Sequence, residues 1–144
     1  MGETGVNDPY NLRRFVDAQD TVFERVCSEL RNGQKWGHWM WFVFPQIKGL
    51  GKSETSRVFA ISSREEARAY LEHPILGPRL RECTRLATLV EGRSIDQVFG
   101  YIDSKKFRSC MTLFAHATSD NQVFKDALQK FCGGEFDHAT LELL

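Results

Sequence analysis

The sequence predicts an all-α single domain, and three observations predict it. Apolar residues recur at helical spacing through most of the chain, Ser and Asp capping signals precede those runs, and no alternating pair of segments around a tight turn signals a hairpin. A length of 144 residues is enough for one core that stands without staples. Seven to nine short helices are expected over residues 9–144, packed around a tryptophan-rich central segment, behind a short disordered N-terminus at residues 1–8. There is no internal repeat.

Asp8-Pro9 opens the first expected helix, as a capping carboxylate followed by Pro at the first helical position. Leu12, Phe15, Val16, Val22, Phe23, Val26, Cys27 and Leu30 then follow a helical stripe, and Asn32-Gly33 supplies the C-cap. Next comes Trp36-Gly-His-Trp-Met-Trp-Phe-Val-Phe-Pro-Gln46, which holds all three tryptophans of the chain. As a strand it would place Trp39, Trp41 and Val43 on one face. As a helix it would be apolar all round and therefore buried. A helix before Pro45 is the expectation, since no other segment offers a partner strand.

Gly49 to Lys52 is a turn, and Ser53 caps a short helix running toward Ile61. Ser63 and Glu66 form a capping-box pattern before Ala67, Tyr70 and Leu71, and that helix stops at His73-Pro74. Leu76, Leu80, Cys83, Ala87 and Val90 make a further helix closed by Gly92. Ser94 with Gln97 starts a short one ended by Gly100. Asp103 is expected to cap a helix bearing Phe107, Cys110, Met111 and Phe114, and Asp120 one that ends at Gly133-Gly134. Asp137 would cap the last, through Leu144.

Composition excludes several classes. Nineteen basic residues balance nineteen acidic ones, which leaves no electrostatic footprint for nucleic acid. The longest apolar run, Trp39 to Phe44, is far too short for a bilayer span, so no membrane partner is expected. The first eight residues have neither a basic nor an apolar region and do not match a signal peptide or a myristoylation pattern. Cys27, Cys83, Cys110 and Cys132 show no metal-ligand spacing, and each reads as a small buried hydrophobe. A reduced, cytoplasmic protein without cofactor or metal, as monomer or weak homodimer, is the expectation.

The chemically suggestive groups cluster at the two ends of the tryptophan segment. His38 in an aromatic setting is a candidate acid or base, and equally a His that satisfies a core carbonyl. Trp39 and Trp41 could stack on a flat ligand, or serve as core. Gln46 and the turn Lys48, Gly49, Gly51, Lys52 and Ser53 could hold an anion through backbone amides and charge, or be an ordinary turn before a capped helix. The spacing is not that of a phosphate loop. Asp103 is a second candidate for proton transfer, besides its role as a cap. Ser109 and Thr112 could line a site or bond to their own helix.

Several of these stretches resemble one family. Asp8-Pro-Tyr-Asn-Leu12 with Phe15, His38-Trp-Met-Trp-Phe-x-Phe-Pro-Gln46 and Gly49-Leu-Gly51 carry the likeness. His73-Pro-x-Leu-Gly77, Arg79-Leu80, Glu82-Cys83, Phe99-Gly100 and Met111-Thr-Leu-Phe114 continue it. It is similar to the bacterial and fungal domain of unknown function 1810, whose members often carry the label "calpastatin". The resemblance implies a compact helical domain with no established activity. Calpain inhibitors of that name are largely disordered, whereas this chain has the periodicity of a packed core. Cys110 stands where the family pattern leads one to expect Ser.

Two functions follow as expectations. One is a small enzyme or binder of a nucleotide-like or ADP-ribose-like ligand, with His38 and Asp103 as catalytic candidates and the Trp39–Ser53 groups as the binding surface. The alternative is a protein-interaction module that takes a peptide or partner helix in a groove between helices. A purely structural tryptophan segment is the third possibility.

Overall fold

The computed structural model describes residues 8–144, so residues 1–7 of the expected disordered N-terminus lie outside the described residues. Ten helices follow in order: α1 (Arg13–Asp20), α2 (Phe23–Arg31), α3 (Met40–Val43), α4 (Glu54–Val58), α5 (Arg64–Glu72), α6 (Leu76–Leu89), α7 (Ile95–Phe99), α8 (Tyr101–Ala115), α9 (Gln122–Cys132) and α10 (His138–Leu143). The domain is all-α. Its helix count exceeds the expected seven to nine because the first periodic run is two helices. Thr21 and Val22, adjacent β-branched residues of low helix propensity, take the break, and Val22 leaves the helical region at φ −127°.

The most deeply enclosed helix of the fold is α8. Every residue of α8 from Ser109 to Ala115 is buried, so this half of the helix is enclosed on all sides by α5, α7, α9 and α10. Two chains of aromatic rings radiate from it. Phe107 stacks on Phe99 and meets Phe44 and Phe131 edge-on, while Phe114 contacts Tyr70 and Phe124. Phe44 is therefore the point at which the tryptophan segment plugs into the core.

That segment is helical for one turn only, Met40–Val43. Its earlier residues cannot continue a helix because they wrap a single carboxylate. Glu29 Oε1 accepts from the Trp36 and Gly37 backbone amides and from the Trp39 indole, at 2.7, 3.0 and 2.8 Å. After Pro45 the chain does find a partner. Lys48 N donates to the Ile61 carbonyl, and Ile61 N donates to the Gln46 carbonyl, as one parallel bridge between Ile47 and Ile61. The stretch Ala60–Ile61 is thus extended, and α4 stops at Val58.

Most capping signals act as expected. Ser53, Ser63, Ser94 and Asp137 each accept the backbone N–H three residues on, and Ser94 with Gln97 completes a reciprocal capping box. Three do not. Asp8 accepts from Leu12 and Arg13, but the helix begins at Arg13, so Pro9 is outside it. Asp103 lies inside the first turn of α8, whose N-cap is Gly100 at φ +89°. Asp120 leaves the N-cap of α9 to Asn121, which makes no side-chain cap bond. The carboxylate of Glu66 turns away from its own cap to Ser62 and to Arg14, with which it makes a partly buried ion pair at 3.0 Å. Ser109 and Thr112 tie α10 to α8: Asp137 accepts from Ser109 Oγ, and Thr112 Oγ1 accepts from Asp137 N. None of the described helices is long and apolar enough to cross a membrane.

Candidate functional site

The bridge between Gln46–Lys48 and Ile61 sets two chain segments side by side, and a cavity of about 250 Å³ opens against them. Trp41, Gln46, Ile47, Lys48 and Gly49 come from one side of it. Gly51 follows from the turn, and Ser56, Arg57, Phe59 and Ala60 come from α4 and the extended stretch after it. Arg14 fixes the latter side from beneath. Its guanidinium donates to the carbonyls of Val58 and Ala60 and pairs with Glu66, so the wall is anchored to α1 and α5.

The glycines of the turn have steric reasons. Gly49 sits at φ +108°, where L side chains are strained. A Cβ on Gly51 would fall 2.5 Å from the Ser56 Cβ, so the turn approaches α4 at a distance no other residue permits. That approach closes the cavity beside Trp41, whose Cζ3 would lie 3.6 Å from the same point.

Behind Trp41 stands a charge network. Lys106 Nζ lies 3.6 Å from the centre of the Trp41 ring, and Lys35 Nζ lies 5.1 Å from that of Trp39. Asp103 joins them, at 2.7 Å from Lys35 and 3.1 Å from Lys106. Burial works against the charge on Asp103, but the bonds from both lysines outweigh it and hold the carboxyl below its ordinary value. Glu29 is in the same balance: burial opposes ionisation, and the amides of Gly37 and Trp36, the indole and Lys35 prevail and lower its pKa.

The sequence-derived candidates therefore divide. Trp41, Gln46, Lys48, Gly49 and Gly51 come together around the cavity. Lys52 and Ser53 stand outside its lining, and Ser53 is engaged as the cap of α4. Trp39 is 1% exposed and belongs to the core. His38 is exposed and does not line the cavity, and Asp103 is locked between two lysines. Arg57, close to the turn in sequence, is in the lining as well. Sequence reasoning missed Phe59 and Ala60, which reach the site only through the Ile47–Ile61 pairing. It also missed Glu29, Lys35 and Lys106. For Lys35, a Lys directly before an aromatic run is a usable signal; Glu29 and Lys106 had none beyond being charged residues on helices.

The groups around the cavity are two aromatic rings, two cations, one hydroxyl and one amide. Among the described residues the Gln46 side chain has no hydrogen-bond partner, so its donor and acceptor are available. The ion pair of Arg57 with Glu54, at 3.8 Å between highly exposed side chains, leaves the guanidinium largely uncommitted. Such a set can stack on a flat group and neutralise an anion. No carboxylate, imidazole or thiol is in the lining to move a proton. Among the described residues no group of three or more His, Cys, Asp or Glu could hold a metal ion.

Residues 9–144 match the model of the family described as a protein of unknown function, DUF1810. A conserved hypothetical protein from Mycobacterium tuberculosis, known from its crystal structure, is 55% identical, with a TM-score of 0.94 over 95% of this chain and 98% of that one. No curated protein matches. The chain belongs to the DUF1810 family, as its motifs imply.

Proposed function

Taking membership of that family as the premise, we propose that the protein binds a small planar ligand bearing an anionic group, of nucleotide-like type, in the Trp41 cavity. The observation that carries the proposal is the convergence of Trp41, Phe59, the Gln46 amide, Lys48 and Arg57 on one enclosed volume. The rings supply a stacking surface, the amide reads an edge, and the two cations stand at the mouth for a phosphate or carboxylate. The roughly 250 Å³ volume is just below the range of about 300–1,000 Å³ typical of ligand pockets. A single ring with its sugar or phosphate therefore fits, and the distal part of an ADP-ribose-like molecule would lie outside.

The lining favours a binder over an acid–base enzyme. His38 stays outside the proposal, and Asp103 enters it as the anchor that keeps Lys106 against the back of Trp41. A thermal-shift panel of nucleotides, sugar phosphates and NAD derivatives tests it. A ligand at 100 times its Kd stabilises by about 2.7 kcal/mol, which for a chain of this size is roughly 8 °C in Tm. No shift with any member of the panel overturns the proposal.

A second reading rests on a different face. Trp36, Tyr101 and Ile102 are 72%, 67% and 69% exposed. The Lys35–Asp103 ion pair, next to them in sequence, holds them near one another. A rigidly presented aromatic with apolar neighbours favours a peptide- or helix-binding module. Co-purification of a stoichiometric partner that is lost in Trp36→Ser would support it, and retention of that partner by Trp36→Ser would count against it.

A further inference from the structure

Trp41 offers the cavity a ring whose far side is already taken. Lys106, on α8, sets its ammonium 3.6 Å from the centre of that ring and is absent from the cavity lining, so it stands on the side away from the cavity. Its side chain is only 18% exposed, and Asp103 holds it in place at 3.1 Å. Asp103 cancels part of the charge, yet it divides its two oxygens between Lys106 and Lys35. Two more cations, Lys48 and Arg57, stand in the lining, and no carboxylate does. The pair that Arg57 makes with Glu54 is long, at 3.8 Å, and exposed.

An indole with both faces free attracts cations, because its faces are electron-rich while its edge is electropositive. At Trp41 that preference is reversed. Lys106 occupies one face, so a cation on the opposite face meets an ammonium through the thickness of one ring. The Cζ3 edge, which the Gly51 turn approaches, repels a cation by its own quadrupole. Face and edge therefore discriminate in the same direction. We propose, resting on the reading of the Trp41 cavity as a ligand site, that this cavity selects its ligand by ring charge. It takes a neutral, electron-rich ring that carries a phosphate, and it rejects a ring that is itself cationic. Lys106 is the specificity-determining residue and acts by repulsion from outside the cavity. Asp103 is the positioning residue that keeps it against the ring.

The two forms of nicotinamide mononucleotide isolate the effect, because they share phosphate, ribose and carboxamide and differ by a single hydride. The oxidised ring is a pyridinium cation, and the reduced ring is neutral and electron-rich. Isothermal titration of the full chain at neutral pH should find the reduced form bound about ten-fold more tightly. In Lys106→Met, which keeps an unbranched stem beside the ring, the oxidised form should gain several-fold and the ratio should contract. Equal affinity for the two forms, tighter binding of the oxidised one, or a ratio unchanged in Lys106→Met overturns the proposal. Absence of binding by the reduced form overturns it too, whereas the cavity reading itself falls only when the whole nucleotide panel leaves Tm unmoved. The wild-type ratio decides the matter by itself should Lys106→Met fail to fold.

Discussion

Trp39 and Trp41 are two residues apart, of the same type, and each faced by a lysine that the same aspartate holds. Their environments are otherwise opposed. Trp39 is enclosed, its indole N–H donates to the buried Glu29 carboxylate, and its ring leans on Phe44, the plug into the core. Trp41 is half-buried and forms one wall of a cavity. One helical turn, α3, rotates them to different sides of the segment. An aromatic-rich motif can therefore be core and site at once, and which residue does which depends on partners remote in sequence.

The sharpest way to break the comparison is Trp39→Ala. Removing an enclosed indole and leaving its cavity should lower unfolding free energy by about 3–5 kcal/mol, read as a fall in the urea midpoint. Glu29→Ala comes next, at about 2–3 kcal/mol, because it leaves two backbone amides and an indole without their acceptor.

Acid should show the same dependence without mutation. Glu29 and Asp103 have folded pKa values below their ordinary ones, so the unfolded chain binds more protons in that range. Their contribution is present above the ordinary carboxylate range and is lost as pH falls through the folded values. Urea midpoints measured from about pH 6 down to about pH 3 should decline, and more shallowly in Glu29→Gln with Asp103→Asn. Trp41→Ala should be the mildest of the series, at about 1 kcal/mol, since its ring is half-buried. A cost for Trp41→Ala equal to that of Trp39→Ala would erase the distinction.

Much of the fold was legible in local chemistry. Ser53, Ser63, Ser94 and Asp137 announced helix starts because a cap is a contact of three residues' reach. Asp103 and Asp120 carried the same signal, but Gly100 and Asn121 hold those N-cap positions instead. The break at Thr21–Val22 was hidden because a stripe of apolar residues continues across it. The place of the candidate site was half visible: Trp41, Gln46, Lys48, Gly49 and Gly51 are contiguous enough to suggest it. Its other wall was not, because Phe59 and Ala60 arrive through two backbone hydrogen bonds to a segment that no alternation marks as extended. Glu29 was invisible for the same reason, since only the folded chain brings Trp36 and Trp39 onto its carboxylate.

The measurement that bears most directly on the division between Trp39 and Trp41 is the ligand-induced Tm shift in wild type and Trp41→Ala, with the nucleotide panel. A nucleotide-type ligand should shift the wild type by several degrees. It should leave Trp41→Ala unshifted, while that variant retains its unliganded stability to within about 1 kcal/mol. An undiminished shift in Trp41→Ala, or none in the wild type with any ligand of the panel, would contradict the assignment of Trp41 to a binding site.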